Sequence, residues 1–218
     1  MVETKKAEKA KLFFIVGMRR SGTSILRRIL ASTEGVGTVL FEPHEIWHSV
    51  QMQHFRRFRS QEHKRRLDSF RATGRGKWHG AKFALNPGID ALDWIWLPKA
   101  FPEAKFIFIA RNVDDCYESY RQQDKDSRRG AIPKQAYSPL FAWVTGCLWH
   151  FADSFPERAV FISYDKMIGN PSKELAPVFK LLKTKAPKDL AGMIKMPEQK
   201  KGIKKEEDKV LEGIRATA

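Results

Sequence analysis

The sequence predicts an α/β domain in which a central parallel sheet of about five strands is flanked by helices on both faces, a three-layer sandwich. Three observations carry that prediction: short, continuously apolar runs of the kind buried parallel strands show, helical periodicity between them, and a glycine-rich turn joining the first run to the first helix. A length of 218 residues suits one such domain. We expect it over 11–195, with a charged lead-in at 1–10 and a charged tail at 196–218.

Lys11 to Val16 (KLFFIV) reads as the first strand and ends at Gly17. Residues 22–32 carry helical spacing through Ile25, Leu26, Ile29 and Leu30, and Val36 to Phe41 is a second apolar run. Strand, glycine loop, helix and strand make a βαβ unit, whose right-handed crossover sets both strands in one parallel sheet. His44 to Arg71 reads as a long, very basic helical stretch, Lys82 to Leu85 as part of a short third strand, and Ile89 to Ala100 as a helix after Asn86-Pro87. Lys105 to Ala110 (KFIFIA) is the clearest strand, followed by a helix from about Val113 to Gln123 and a polar, basic loop over 124–135. Pro139 to Phe151 reads as a helix, Ala159 to Ser163 as the fifth strand, and Ser172 to Leu182 as a helix introduced by Asn170-Pro171.

Composition narrows the function classes. Hydrophobic residues at 42% and charged residues at 30% fit a folded globular chain and exclude collagen, a membrane bundle and disorder over most of the length. Forty Lys and Arg against twenty-five Asp and Glu leave a formal charge of +15. An anionic partner or substrate follows: nucleic acid, a membrane surface, or a phosphorylated or sulfated small molecule. Cys116 and Cys147 form no CxxC or Cys/His cluster, which suits a reducing compartment. The opening MVETKKAEKAK has no apolar signal-peptide core and no run of about 18 apolar residues occurs. We therefore expect a soluble, cytoplasmic protein with no transmembrane segment.

The glycine loop reads Gly17-Met18-Arg19-Arg20-Ser21-Gly22-Thr23-Ser24. Its glycines allow a tight turn that aims N–H groups at an anion, and a helix N-terminus follows to add its dipole. The Gly17-x4-Gly22 spacing is that of the Walker A motif, which makes the expected fold P-loop NTPase-like, but Thr23 stands where that motif has Lys. The cation near a transferred group must then come from elsewhere in the loop, and Arg20 is placed for it. Phosphoryl transfer also needs a carboxylate for Mg²⁺, whereas the strand ending at Ala110 delivers Arg111. No metal is expected.

Arg20-Ser21-Gly22-Thr23-Ser24 after an apolar strand resembles the 5′-phosphosulfate loop, (K/R)-S-G-T-(T/S), of the sulfotransferase family. Members of that family use 3′-phosphoadenosine-5′-phosphosulfate (PAPS) as donor and release 3′-phosphoadenosine-5′-phosphate (PAP). The resemblance implies that Arg20 contacts the bridging and sulfuryl oxygens and that Ser21, Gly22, Thr23 and Ser24 hold the 5′-phosphate, with Arg19 beside them. Arg111-Asn-Val-Asp-Asp115-Cys-Tyr-Glu-Ser119 resembles the family's R-D-P-R-D-x-x-x-S stretch in Arg111, Asp115 and Ser119, and departs from it at Asn112, Val113 and Asp114. By that resemblance Arg111 and Ser119 read the 3′-phosphate, although Arg111 could also pair with Asp114 or Asp115. Tyr164-Asp165-Lys166-Met167 with Pro171 resembles the family's Y-E-D-L segment, which places Tyr164 near the adenine or, on the residues alone, in the core beneath a strand end. Lys201-Gly202 resembles a shortened R-K-G loop over the 3′-phosphate, or is a solvated charge run.

Sulfuryl transfer to an alcohol needs a base opposite the leaving phosphate. The family's K-T-H-L-P segment corresponds to Lys82-Phe83-Ala84-Leu85, so that His is absent while the Lys remains. Glu42, directly after the second strand, is the candidate base, with His44 as the main rival and His79 third. Glu42 could instead neutralise Arg19 or Arg20. Lys82 is assigned to the sulfuryl group or the leaving oxygen. Between His54 and Lys77 the many Lys and Arg, interleaved with Phe55, Phe58, Leu67 and Phe70, are either a wall of an acceptor cleft or a solvated face. The resulting expectation is a PAPS-dependent sulfotransferase acting on a carbohydrate or small-molecule hydroxyl or amine, with no nucleic-acid partner; the large positive charge is solubilising surface or a sign of an acidic acceptor. The alternatives are an ATP- and Mg-dependent P-loop kinase and a basic nucleic-acid-binding domain on a nucleotide fold.

Overall fold

The structure, a computed structural model, describes residues 10–54, 61–74, 76–87, 89–123 and 132–195. In chain order its elements are β1 (Lys11–Met18), α1 (Thr23–Ala31), β2 (Val36–Phe41), α2 (His44–His54), α3 (Gln61–Ala72), β3 (Trp78–Leu85), a 3₁₀ helix (Ile89–Trp96) running into α4 (Leu97–Ala100), and β4 (Lys105–Ala110). They continue with α5 (Val113–Gln123), α6 (Lys134–Ser154), β5 (Ala159–Ser163), α7 (Tyr164–Gly169), α8 (Pro171–Leu182) and α9 (Leu190–Lys195).

The five strands form one parallel sheet in the order β2-β3-β1-β4-β5. The chain leaves β1 for one edge, returns to β3 beside β1, and then crosses to β4 and β5 on the other side. Strand order therefore reverses at β1, and in open α/β sheets the crevice for ligands opens outside the carboxyl ends of the strands at such a reversal.

Both faces of the sheet are buried, which is why the strands read as continuous apolar runs. Along β1, Leu12, Phe14, Val16 and Met18 enter one core with residues of α2, α3, α5 and α6, whereas Phe13 and Ile15 enter the other with α1 and α8. The first core is aromatic: the Phe14 ring lies 5.0–6.0 Å from those of Phe70, Phe83, Phe101 and Phe106. The second is aliphatic, with Leu26, Ile29 and Leu30 of α1 opposite Leu175, Val178 and Leu182 of α8. Asn170 caps α8 by accepting from the Lys173 N–H, so the Asn170-Pro171 start signal works as read.

Strands β1, β2, β4 and β5 and helices α1, α5 and α8 fall where the sequence places them. Four readings need correction. The long basic helical stretch is two helices, α2 and α3, separated by 55–60, which lie outside the described residues. The third strand begins at Trp78, four residues early, because Gly80 packs against the Phe13 ring and lets an apolar-poor segment pair with β1. Ile89 to Trp96 is 3₁₀ rather than α-helical. Helix α6 starts at Lys134, upstream of Pro139, with Tyr137, Phe141, Val144 and Leu148 buried along one face. Residues 124–131 of the expected loop, and the tail with Lys201 and Gly202, lie outside the described residues. Among the described residues no helix is long and apolar enough to cross a membrane.

Candidate active site

At the carboxyl ends of β1, β2, β3 and β4 a hollow of about 390 Å³ is lined by Arg19, Arg20, Gly22, Thr23, Ser24, Phe41, Glu42, Lys82, Ala84, Arg111, Ser119 and Tyr164, with Ile25 at its side. Arg19, Arg20, Gly22, Thr23, Ser24, Glu42, Lys82, Arg111, Ser119 and Tyr164, singled out in the sequence for donor binding or catalysis, meet here, whereas Ser21, His44 and His79 do not line it and Lys201 and Gly202 lie outside the described residues. A larger hollow, about 930 Å³, opens at the opposite edge beside the starts of β1, β3, β4 and β5. It has neither a glycine loop nor a helix N-terminus, so the chemistry is assigned to the smaller one.

The loop after β1 is held by backbone bonds from Arg19 N–H to the Leu85 carbonyl of β3 and from Ser21 N–H to the Met18 carbonyl. A side chain on Gly17 would collide with the Ile109 carbonyl of β4, and Gly22, at φ +98°, has the Tyr164 ring where a Cβ would stand. Gly22 is the N-cap of α1, so the first amides of that helix face the hollow without intrahelical partners. Ser21 is a correction: its hydroxyl is fully buried beside Gly17 and its N–H closes the turn, so it shapes the loop from beneath and does not line the hollow.

The second anion-reading segment starts where β4 ends. Asn112, which departs from the family pattern, accepts through Oδ1 from the Asp114 and Asp115 N–H groups and so caps α5. Its own N–H donates to Asp165, tying α5 to the start of α7. Arg111 lies with its guanidinium carbon 4.8 Å from the centre of the Tyr164 ring and pairs with Asp115 at 3.3 Å, while its Nε is buried with no hydrogen-bond partner. Tyr164 is thus neither loose near the mouth nor sealed in the core. It stacks between Gly22 and Arg111 at the first position of α7, where Ser163 caps the helix. Arg20 Nε donates to Ser119 Oγ at 2.7 Å, joining the two segments across 99 residues of sequence.

Lys82 and Glu42 occupy the β2–β3 side. Lys82 is 2% exposed; its Nζ lies 2.8 Å from Glu42 Oε1, 3.2 Å from Ser24 Oγ and 3.7 Å from the centre of the Phe41 ring. Glu42 is fixed through its N–H to the Lys82 carbonyl and is itself partly exposed. Its side chain pairs with Lys82, a partner not weighed from sequence. Among the described residues three non-glycines have positive φ: Arg20 (71°), Glu42 (45°) and Lys183 (50°). Lys183 is the C-cap of α8. The other two are the candidate donor cation and the candidate base, and backbone strain of about 1–3 kcal/mol held at such positions is a mark of functional sites.

His44 stands outside this hollow, exposed in the first turn of α2, where it stacks on His48 and lines a neighbouring hollow with Glu42. His79 is excluded as a base by position. It lies at the amino end of β3, level with Leu12, fully buried, with Nδ1 donating to the Thr38 carbonyl and Nε2 without a partner. Burial lowers its pKa to about 4, against the opposing pull of the Thr38 bond. Cys116, under Arg111, is driven up to about 12 chiefly by burial and is no nucleophile. In the basic stretch, Arg71 is held by Asp68, Glu103, the Ala100 carbonyl and the Phe101 ring, and Leu67 and Phe70 belong to the core. That part of the stretch is structural. Sequence reasoning missed Phe41, whose only signal was an aromatic ending a strand just before a candidate base.

A parallel sheet reversing at a strand that ends in a glycine loop, with a second cationic segment on the next strand, defines a P-loop-like fold. The sulfotransferase family profile matches residues 13–85 and 89–187, and the chain belongs to that family. Its reaction class is sulfate transfer. Among solved structures, it is similar to a sulfotransferase from Alicyclobacillus acidocaldarius at 18% identity and a TM-score of 0.54, covering 96% of this chain and 94% of that one. It is also similar to mouse sulfotransferase SULT7A1 complexed with PAP (16% identity, TM-score 0.56, 84% and 64% covered). The sulfotransferase domain from the curacin biosynthetic pathway is similar at 13% identity and a TM-score of 0.57, covering 88% and 80%. No curated protein matches the chain.

Proposed function

We propose that the chain moves the sulfuryl group of PAPS to the hydroxyl of a small acceptor, with Glu42 as general base and without a metal. The observation that supports this most is the one hollow lined both by Arg20 with the α1 N-terminus and by Arg111 with Ser119, two segments joined by the Arg20–Ser119 hydrogen bond. The unpartnered buried Nε of Arg111 and the bare first amides of α1 fit a nucleotide carrying both a 3′-phosphate and a 5′-phosphosulfate.

The donor supplies the electrophilic sulfur. Gly22, Thr23 and Ser24 hold its 5′-phosphate through N–H groups and hydroxyls, Arg111 and Ser119 bind the 3′-phosphate, and the Tyr164 ring borders the nucleoside. Arg19 and Arg20 offset the charge of the phosphosulfate. Glu42 takes the acceptor proton as the acceptor oxygen bonds to sulfur; the bond from sulfur to the bridging oxygen breaks, and its electron pair leaves on PAP. Lys82, held between Glu42 and Ser24, is assigned the stabilisation of the negative charge that grows on the leaving oxygen.

Calorimetric titration with PAP, repeated with ATP and Mg²⁺, tests the donor. Tight PAP binding with little response to ATP is expected; a preference for ATP would point to a kinase, and binding of oligonucleotide that PAP does not displace would point to a nucleic-acid module.

A further inference from the structure

Beside the donor hollow lies another of about 390 Å³, lined by Glu42, His44, Trp47, Phe83, Ala84, Leu85 and Asn86. Glu42 and Ala84 line both, so the candidate base stands on the border between them. We propose that this second hollow is the acceptor site and that it selects an uncharged alcohol with an apolar ring face; the inference rests on the sulfuryl-transfer reading above and adds the acceptor's chemistry.

Continuity comes first. An in-line displacement needs the acceptor hydroxyl to meet the base as it reaches sulfur, and Glu42, on the border of the two hollows, is the carboxylate that a hydroxyl entering the second hollow would meet. The wall is apolar: the Trp47 and Phe83 rings lie 4.8 Å apart at 35°, Leu85 is buried beside them, and Trp47 is only partly covered. That is the surface a ring face stacks on. The rim is polar and exposed, with His44 and Asn86 able to orient further hydroxyls. The volume suits a molecule of one or two rings.

Charge decides the class. Arg19, Arg20, Lys82 and Arg111 all line the donor hollow, and none of them lines the second. The second hollow has a carboxylate, Glu42, and no Lys or Arg among the described residues. Lys82 cannot serve an acidic acceptor as well, since it already contacts Glu42, Ser24 and the Phe41 ring. A carboxylate or phosphate on the acceptor would sit beside the Glu42 carboxylate, whose charge already engages Lys82, with no further Lys or Arg lining the hollow among the described residues to balance it, and like charges at that range repel. Among the described residues the Lys and Arg that line the two hollows all stand on the donor side.

The test uses matched acceptors that differ by one carboxylate, phenol against 4-hydroxybenzoate and methyl xyloside against methyl glucuronide, with labelled PAPS. In whichever pair turns over, kcat/KM for the neutral member should exceed its acid by about tenfold or more; the active pair identifies the ring as aromatic or carbohydrate. Asn86→Lys, on the exposed rim, should shrink or invert that ratio, and Trp47→Ala should raise acceptor KM about tenfold with PAP affinity unchanged. Equilibrium dialysis of the same pairs with the wild-type chain reads the hollow without turnover, so a failed donor reading, seen as no PAP binding, is distinct from a failed acceptor reading. Equal or better use or binding of the acids overturns the proposal, as does unchanged KM in Trp47→Ala that still binds PAP. If that variant fails to bind PAP through misfolding, the Asn86→Lys ratio decides.

Discussion

Strand β3 carries two basic side chains three residues apart, both withdrawn from solvent: His79 at its amino end, 0% exposed, and Lys82 near its carboxyl end, 2% exposed. Their chemistry has diverged because their neighbours have. Lys82 has a carboxylate, a hydroxyl and an aromatic face around its amine, the partners a cation takes. His79 faces a lone carbonyl and the Phe70 ring, with nothing to balance a proton, and is held neutral. A basic residue in a strand is thus a catalytic candidate only at the end of the sheet where the topology opens a crevice. Changes at the carboxyl end should strike turnover and spare stability; changes at the amino end should do the reverse.

The largest effect is expected from Glu42→Gln. The amide keeps the size and can still hydrogen-bond to Lys82, but it cannot take a proton. Turnover should fall about 10²–10⁴-fold while PAP affinity changes little. Steady-state kinetics alongside calorimetry checks both halves, and normal turnover would move the base to His44.

Lys82→Met should lower kcat about 10²–10³-fold, since the charge opposite the leaving oxygen is removed. The unfolding midpoint should hold or rise. Met fills the same volume beside Phe41, and Glu42, 42% exposed at its side chain, recovers water when its partner goes. A collapse of stability in this variant would mean that Lys82 is a structural ion pair and would erase the contrast with His79.

His79 should govern acid stability instead. Its pKa is about 4 in the fold against an ordinary 6.5, so between those values the unfolded chain binds more protons and stability rises with pH. The contribution is complete above pH 6.5 and is lost as pH falls toward 4, by roughly 3 kcal/mol in all and about 2 kcal/mol by pH 5. Urea titrations at pH 7 and pH 5 should show His79→Leu with a flatter pH dependence than wild type by that amount. Equal slopes would show that the imidazole is solvated and not sealed.

What the sequence disclosed and what it withheld follows the same division. The strands, the glycine loop and the Arg111–Ser119 segment were legible because each is local: an apolar run, a turn that needs glycine at φ +98°, an arginine at a strand end. The contact between Arg20 and Ser119 was not, since it joins positions 99 residues apart and exists only because β1 and β4 are neighbours. Likewise Glu42 reads from sequence as the base, with Arg19 or Arg20 as the alternative partner; only the β2–β3 pairing, Phe41 opposite Lys82, gives it Lys82. Ser21 matched its motif and yet points away from the hollow, because a motif records residue type and not the direction of a side chain.

The smallest effect belongs to Trp78→Phe, one residue before His79. The Trp78 indole N–H donates to the Leu182 carbonyl at the end of α8, and its ring meets Phe13 edge-on at 6.4 Å. Phe retains most of the apolar contact but leaves that carbonyl unpaired, a loss of about 1–2 kcal/mol. Since β3 runs from this residue to the donor hollow, the variant asks whether the two ends are coupled. An unfolding free energy lower by that amount with kcat/KM and PAP affinity unchanged is the expected result. A fall in turnover would mean that the position of Lys82 depends on how the strand is anchored at its start, and the two ends of β3 would then be one device.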